Sequence, residues 1–105
     1  MFVGSLGAAE REFTSLLDSP EAQNKIPHIR TRLGDIYRYR ARSIENQELR
    51  IEEYKKAINQ FKLVLGLNVS RQISESALIR IIEIADILEE DIAGYGLGDA
   101  QSVLD

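Results

Sequence analysis

The chain has 105 residues, of which 44% are hydrophobic, a formal net charge of −4 and no cysteine. That length fits a single domain, residues 1–105, and that hydrophobic share excludes bulk disorder. The acidic balance argues against a general nucleic-acid binder, and the missing cysteines remove disulfides, thiolate metal sites and cysteine nucleophiles.

Taken in order, the chain reads as helices. Leu6, Ala9, Phe13, Leu16 and Leu17 recur at helical spacing and predict a first helix from Ser5 to Asp18, with Ser5 as its cap. Ser19-Pro20 ends it, since the residue before proline avoids the helical region. Residues 21–25 are polar and read as a loop or a short helical turn. Pro27 suits the first turn of a second helix, where its missing N–H costs nothing, and that helix is expected to run to Ser43. His28, the only histidine, has no cysteine or second histidine near it, so it reads as a surface residue rather than a metal ligand.

Asn46 can cap a third helix from Gln47 to Leu65, with Ile51, Tyr54, Ala57, Ile58, Phe61 and Leu65 on its inner face. Gly66 suits a left-handed position after the helix end. The second and third helices then form an antiparallel hairpin. Ser70 or Ser74 can cap a fourth helix from Arg71 to Ile92. Its apolar arc, from Ile73 to Ile92, is broad enough to predict a central, buried helix, with Ile79 breaking the polar side of Glu83, Asp86 and Glu90. Gly94, Gly96 and Gly98 are expected to break the chain before a short last helix, Ala100 to Leu104. A helix of that length is unstable alone, which suits a piece of a larger helical protein.

Leu33 to Arg42 is the stretch most like a binding site. On a wheel of roughly 100° per residue, Ile29, Leu33, Ile36, Tyr37 and Ile44 share one side. Arg38 and Arg42 lie opposite, one turn apart, with Asp35 a turn before Arg38 and Tyr39 on the same outer flank. Arginine suits a phosphate because its fork of N–H donors matches two oxygens, and a carboxylate can hold it in place. The plain alternative is that Arg30, Arg32, Arg38, Arg40 and Arg42 are a solvated face. Arg40 stands out within that run, since it falls near the apolar side and is expected either to reach past the core edge or to pair with an acid. Tyr37 points to the core and Tyr39 away from it.

Gly34, Asp35, Tyr37, Arg38, Tyr39 and Ala41, read as Gly-Asp-x-Tyr-Arg-Tyr-x-Ala, resemble the signature of a central helix in 14-3-3 proteins. Tyr54-Lys55-Lys56-Ala57 is similar to a segment of that family's next helix. The resemblance implies a groove that binds phosphoserine or phosphothreonine peptides, with Arg38 and Tyr39 at the phosphate and Asp35 and Arg42 in support. A second resemblance is to tetratricopeptide repeats. Leu33-Gly34-x-x-Tyr37 looks like the first half of that motif, and Tyr54, Ala57, Phe61, Leu65, Leu67 and Asn68 look like the second. A fainter echo follows about 43 residues later, near Ala77 and at Ala100 to Leu104. This reading implies a helical scaffold that binds a protein segment without requiring phosphate.

The expected fold is therefore all-α: antiparallel helix hairpins in a 14-3-3-like or tetratricopeptide-like right-handed stack, about four helices and a short fifth. The expected function is that of a non-enzymatic adaptor, since no P-loop, nucleophile elbow or paired histidines occur, and Glu89, Glu90 and Asp91 point in different directions. No cofactor or metal is expected. The expected partner is a phosphorylated protein or peptide, with homo- or hetero-oligomers allowed and neither nucleic acid nor membrane involved. No apolar run reaches the ~20 residues of a membrane span. Met1-Phe2-Val3-Gly4 lacks the features of a signal peptide, so a cytoplasmic location is the default expectation.

Overall fold

Each helix starts and stops where local chemistry allows. The computed structural model describes residues 3–95, with side chains over residues 5–89. Four α-helices follow one another: α1 (Val3–Leu16), α2 (Ile26–Arg42), α3 (Gln47–Leu65) and α4 (Arg71–Tyr95), with a 3-10 segment, Pro20–Lys25, between α1 and α2. The described residues contain no strand, and none of their helices is long and apolar enough to cross a membrane.

The helix α3 has the expected bounds, and the Asn46 side chain caps it by accepting the Leu49 N–H at 3.0 Å. Ser70 rather than Ser74 caps α4, accepting the Ile73 N–H at 3.3 Å. Other ends differ from expectation. The helix α1 already runs from Val3, so Ser5 lies inside it rather than capping it. Pro20 opens the 3-10 segment, and α2 begins at Ile26 with Pro27 within its first turn. Gly66 is right-handed, at φ −78° and ψ −8°. Its N–H bonds back to Lys62 and Leu63, so the chain leaves α3 without needing a left-handed residue. The helix α4 continues through Gly94 to Tyr95, because one glycine costs only ~1 kcal/mol in a helix. Gly96, Gly98 and the short helix expected at Ala100 to Leu104 lie outside the described residues.

The core is built on α3. Its Ala57, Phe61 and Val64 are fully buried, as are Ala41 of α2 and Ile84 and Leu88 of α4. The four-residue link from Ser43 to Asn46 folds α3 back antiparallel on α2. Gly34 lets this pair close: a Cβ there would stand 2.5 Å from the Phe61 ring. Full burial of Phe61 is worth roughly 1.5–3 kcal/mol, more than the ~1 kcal/mol that a helical glycine costs. A second cluster, Ala22, Ile29 and Leu33 with Phe13, Leu17 and Ile26, seats α1 against α2, and Tyr37 touches both clusters.

The expectation of a buried, central α4 is corrected. Only Ala77, Ile84 and Leu88 of its described side chains are buried, and they face α3. Leu78, Ile79 and Ile82 are 46%, 56% and 58% exposed. The apolar arc of α4 is as broad as the sequence suggests, but the described residues provide a neighbour for only one side of it. The central helix is α3, covered by α2 on one flank and α4 on the other.

Candidate functional site

The helices α2 and α4 form the two walls of a groove whose floor is α3. Both follow α3 closely, and long polar side chains join them above it. Arg80 Nε donates to Asp35 Oδ1 at 3.0 Å, and Arg38 Nη1 donates to Glu83 Oε2 at 3.4 Å. Both pairs are separated by 45 residues. A constant offset means that the two helices run side by side and parallel, which two antiparallel turns in succession require. Thr31 and Ser76 line the same cleft and keep this offset. Arg80 also lies over the Phe61 ring, 5.9 Å from its centre, which ties the walls to the floor.

Helical spacing explains which α2 side chains enter the groove. Thr31, Asp35, Arg38 and Arg42 follow one another at three and four residues, so they form one stripe. The four residues singled out from sequence are brought together. Arg38 Nη2 donates to Asp35 Oδ1 at 3.1 Å. Arg38 and Arg42 flank the ring of Tyr39, at 5.5 and 5.9 Å from its centre. Tyr39 is exposed and Arg42 is exposed, as the wheel requires.

Asp35 departs from expectation. It does not lie on an outer flank but is buried, at 9% exposure, because α4 covers it. Its Oδ1 receives two arginines, Arg38 and Arg80. Arg80 is held in turn by donating to the Ser76 carbonyl at 3.3 Å and to the Ser76 hydroxyl. Arg38, Arg80, Asp35 and Glu83 thus make a cluster of two positive and two negative charges. Arg38 Nε is buried and has no hydrogen-bond partner. Arg80, Ser76 and Glu83 were not legible as site residues from α2 alone. The 45-residue offset, close to the faint repeat in the sequence, is the signal that points to them.

The groove is open toward the helix N-termini, and a separate hollow lies between α1 and α2 near the other end of α2. Toward the helix N-termini, Pro27, His28 and Thr31 face Gln72, Ile73 and Ser76 across a cleft of about 330 Å³. Toward the other end of α2, Tyr39, Arg42 and Ser43 meet Leu6 of α1 in a hollow of about 480 Å³. Thr31 returns its hydroxyl to the Pro27 carbonyl at 2.9 Å, so the first cleft presents both satisfied polar groups and apolar surface.

A separate polar cluster occupies the other side of α2. Arg40 pairs with Glu10 of α1 at 2.8 Å and with Glu53 of α3 at 3.6 Å, which confirms that it needs acids near the core. Glu53 is buried and also accepts from Lys56 at 2.8 Å. Burial pushes the Tyr37 hydroxyl up, its hydrogen bond to Glu10 adds to that, and the group reaches about 12. Burial also raises Glu10, but hydrogen bonds from Arg40 and Tyr37 and the Arg40 charge outweigh it and hold the carboxyl below the usual range. This cluster joins three helices and lies away from the α2–α4 groove.

Neither a family model, nor a curated protein, nor a solved structure matches the chain.

Proposed function

We propose that the chain is a non-enzymatic protein-interaction module that takes a segment of a partner protein into the groove between α2 and α4. The observation that carries this reading is the groove itself. Two parallel helices are braced apart at mid-length by the Asp35–Arg80 and Arg38–Glu83 pairs and leave a cleft with Ile73 and Pro27 among its lining. Small apolar contacts between fixed polar groups are how protein segments are held and oriented. The charges of the bracing cluster are balanced, so this binding does not require phosphate. In this it follows the tetratricopeptide-like expectation.

A phosphorylated segment is the second reading, favoured by two details. Arg38 Nε is buried without a partner. Glu83, the weaker of the two carboxylate partners of Arg38 by distance, is 58% exposed at its side chain and free to swing away. A phosphate displacing Glu83 would meet Arg38, with Arg42 and Tyr39 beside it.

Titration of the chain with matched phosphorylated and unphosphorylated peptide libraries tests both. Equal binding to the two forms, lost on Ile73→Arg and kept on Arg38→Ala, is the expected result. Binding only to the phosphorylated form, lost on Arg38→Ala, establishes the second reading instead. Binding unaffected by either substitution removes the groove from consideration.

A further inference from the structure

The outer face of α4 is a feature that the groove does not use. Leu78, Ile79 and Ile82 lie there within little more than one turn, all of them about half exposed. Leu78 and Ile82 point away from Arg80 and Glu83, so these two do not depend on the proposed groove, whereas Ile79 lies one turn before Glu83 at the border between the two faces. Scattered apolar side chains on a surface are ordinary, but Leu78 and Ile82 stand one turn apart on one stripe, with Ile79 on its border.

The charges around the stripe say what would cover it. Along the line Arg71, Glu75, Leu78, Ile82, Ala85 and Glu89, the steps alternate between four and three residues, the spacing of a coiled-coil seam. The base is at one end and an acid at the other, with the apolar pair in the middle. A second copy of α4, turned antiparallel about an axis at residue 80, sets Leu78 against Ile82 of the other copy. The same register sets Glu75 against the small Ala85, and Arg71 against Glu89. Ile79 flanks the seam at the level of the axis, on the same side as its counterpart. Each contact occurs twice, as a two-fold interface demands. A parallel pairing instead sets Arg71 against Arg71 and Glu89 against Glu89. In the single chain Arg71 is engaged by Glu75 at 2.9 Å, but its side chain is 92% exposed, and such a bridge is readily exchanged.

We propose that the chain forms a homodimer through the outer face of α4, two copies packing antiparallel about residue 80. One helix pair of this length gives an interface at the small end of the specific range, so the dimer is expected to dissociate at micromolar concentrations. It leaves the α2–α4 groove of each copy open. A partner carrying two copies of the recognised segment then gains by avidity.

Sedimentation velocity of the full chain across a concentration series tests this. A monomer–dimer equilibrium is expected. Ile82→Glu places a charge in the seam twice over and is expected to weaken the dimer by more than ~100-fold with helical content unchanged. Arg71→Glu alone is expected to weaken it by roughly 3- to 10-fold, and adding Glu89→Arg in the same chain to restore it. Because the chain has no cysteine, single thiols report the register. Oxidation is expected to cross-link Ile79→Cys, at the axis, and not Arg71→Cys, whose two copies stand about 27 Å apart along the helices at 1.5 Å per residue. A monomer at all concentrations overturns the proposal. So does a dimer that survives Ile82→Glu, or one in which Arg71→Cys cross-links as readily as Ile79→Cys.

Discussion

Arg38 and Arg40 are two residues apart on one helix and belong to different molecules in all but covalent terms. Two residues turn an α-helix by roughly 200°, so the two guanidinium groups leave α2 in nearly opposite directions. Arg40 reaches α1 and α3 and holds Glu10 and Glu53 at the edge of the core. Arg38 reaches α4 and spans the groove to Glu83. The first network is built around a buried carboxylate whose loss of partner has no solvent remedy. The second has an exposed carboxylate at its outer edge and an unpartnered Nε within. One is suited to fastening helices, the other to exchanging partners.

The contrast is broken most directly at Arg40. Arg40→Ala leaves Glu53 buried with Lys56 alone and leaves Glu10 facing Tyr37. Breaking a buried pair costs 3–5 kcal/mol, and the partial exposure of Arg40 brings the expected loss to about 2 kcal/mol. Chemical denaturation followed by circular dichroism measures it. A loss no larger than that of Arg38→Ala would put the two networks on an equal footing.

Gly34→Ala tests whether the groove floor is as tightly set as the pairing of α2 and α3 requires. The new methyl meets the fully buried Phe61 ring at 2.5 Å, and overpacking of this kind costs ~1–3 kcal/mol. Helix propensity returns up to ~1 kcal/mol, so a net loss of about 1 kcal/mol is expected in the same denaturation experiment. A stabilised variant would show that the floor yields, and with it the position of Arg80 above Phe61.

Much of this was legible in the sequence, and the reasons for the rest are physical. Apolar periodicity marked all four helices, and the cap at Asn46 placed the start of α3. The wheel separated Tyr37 from Tyr39 and left Arg40 either reaching past the core edge or pairing with an acid; Glu10 and Glu53, which decide for the second, come from other helices. It also gathered Asp35, Arg38, Tyr39 and Arg42 correctly. It placed Asp35 outside because a wheel knows one helix only, and the cover on Asp35 comes from α4. The same blindness made α4 central: a broad apolar arc shows how much surface wants a partner, not whether the described residues supply one. Gly66 was misjudged because a helix can end through right-handed i→i+3 bonds as well as a left-handed turn.

A smaller effect is expected at Arg38 itself. Its bonds to Asp35 and Glu83 are partly solvated, and Arg80 remains on Asp35, so Arg38→Ala is expected to cost less than ~1 kcal/mol of stability. Thermal melts of Arg38→Ala and Arg40→Ala side by side sharpen the contrast. Equal shifts would mean that Arg38 also fastens helices, and would leave less reason for its place beside the groove.

The least perturbing probe of the fastening cluster is proton titration. Tyr37 is held protonated to about 12, against 10.0 for an ordinary tyrosine, first by burial and then by Glu10. A raised folded-state value means that the folded chain keeps its proton where the unfolded chain loses it. The stability tied to that proton is therefore complete below about pH 10 and is lost as pH rises through about 12. Glu10 works at the other limit: its value is lowered, so its contribution is present above the ordinary carboxylate range and is lost as pH falls through the lowered value. Ultraviolet titration of the phenolates is expected to show Tyr37 ionising late, and Tyr37→Phe to remove one phenolate from the late part of the curve. Arg38→Ala, on the opposite side of α2, is expected to leave the late step in place, whereas Glu10→Gln lowers it. If Arg38→Ala moved the step as far as Glu10→Gln, charge would be passing through the helix between the two networks, and their independence would fail.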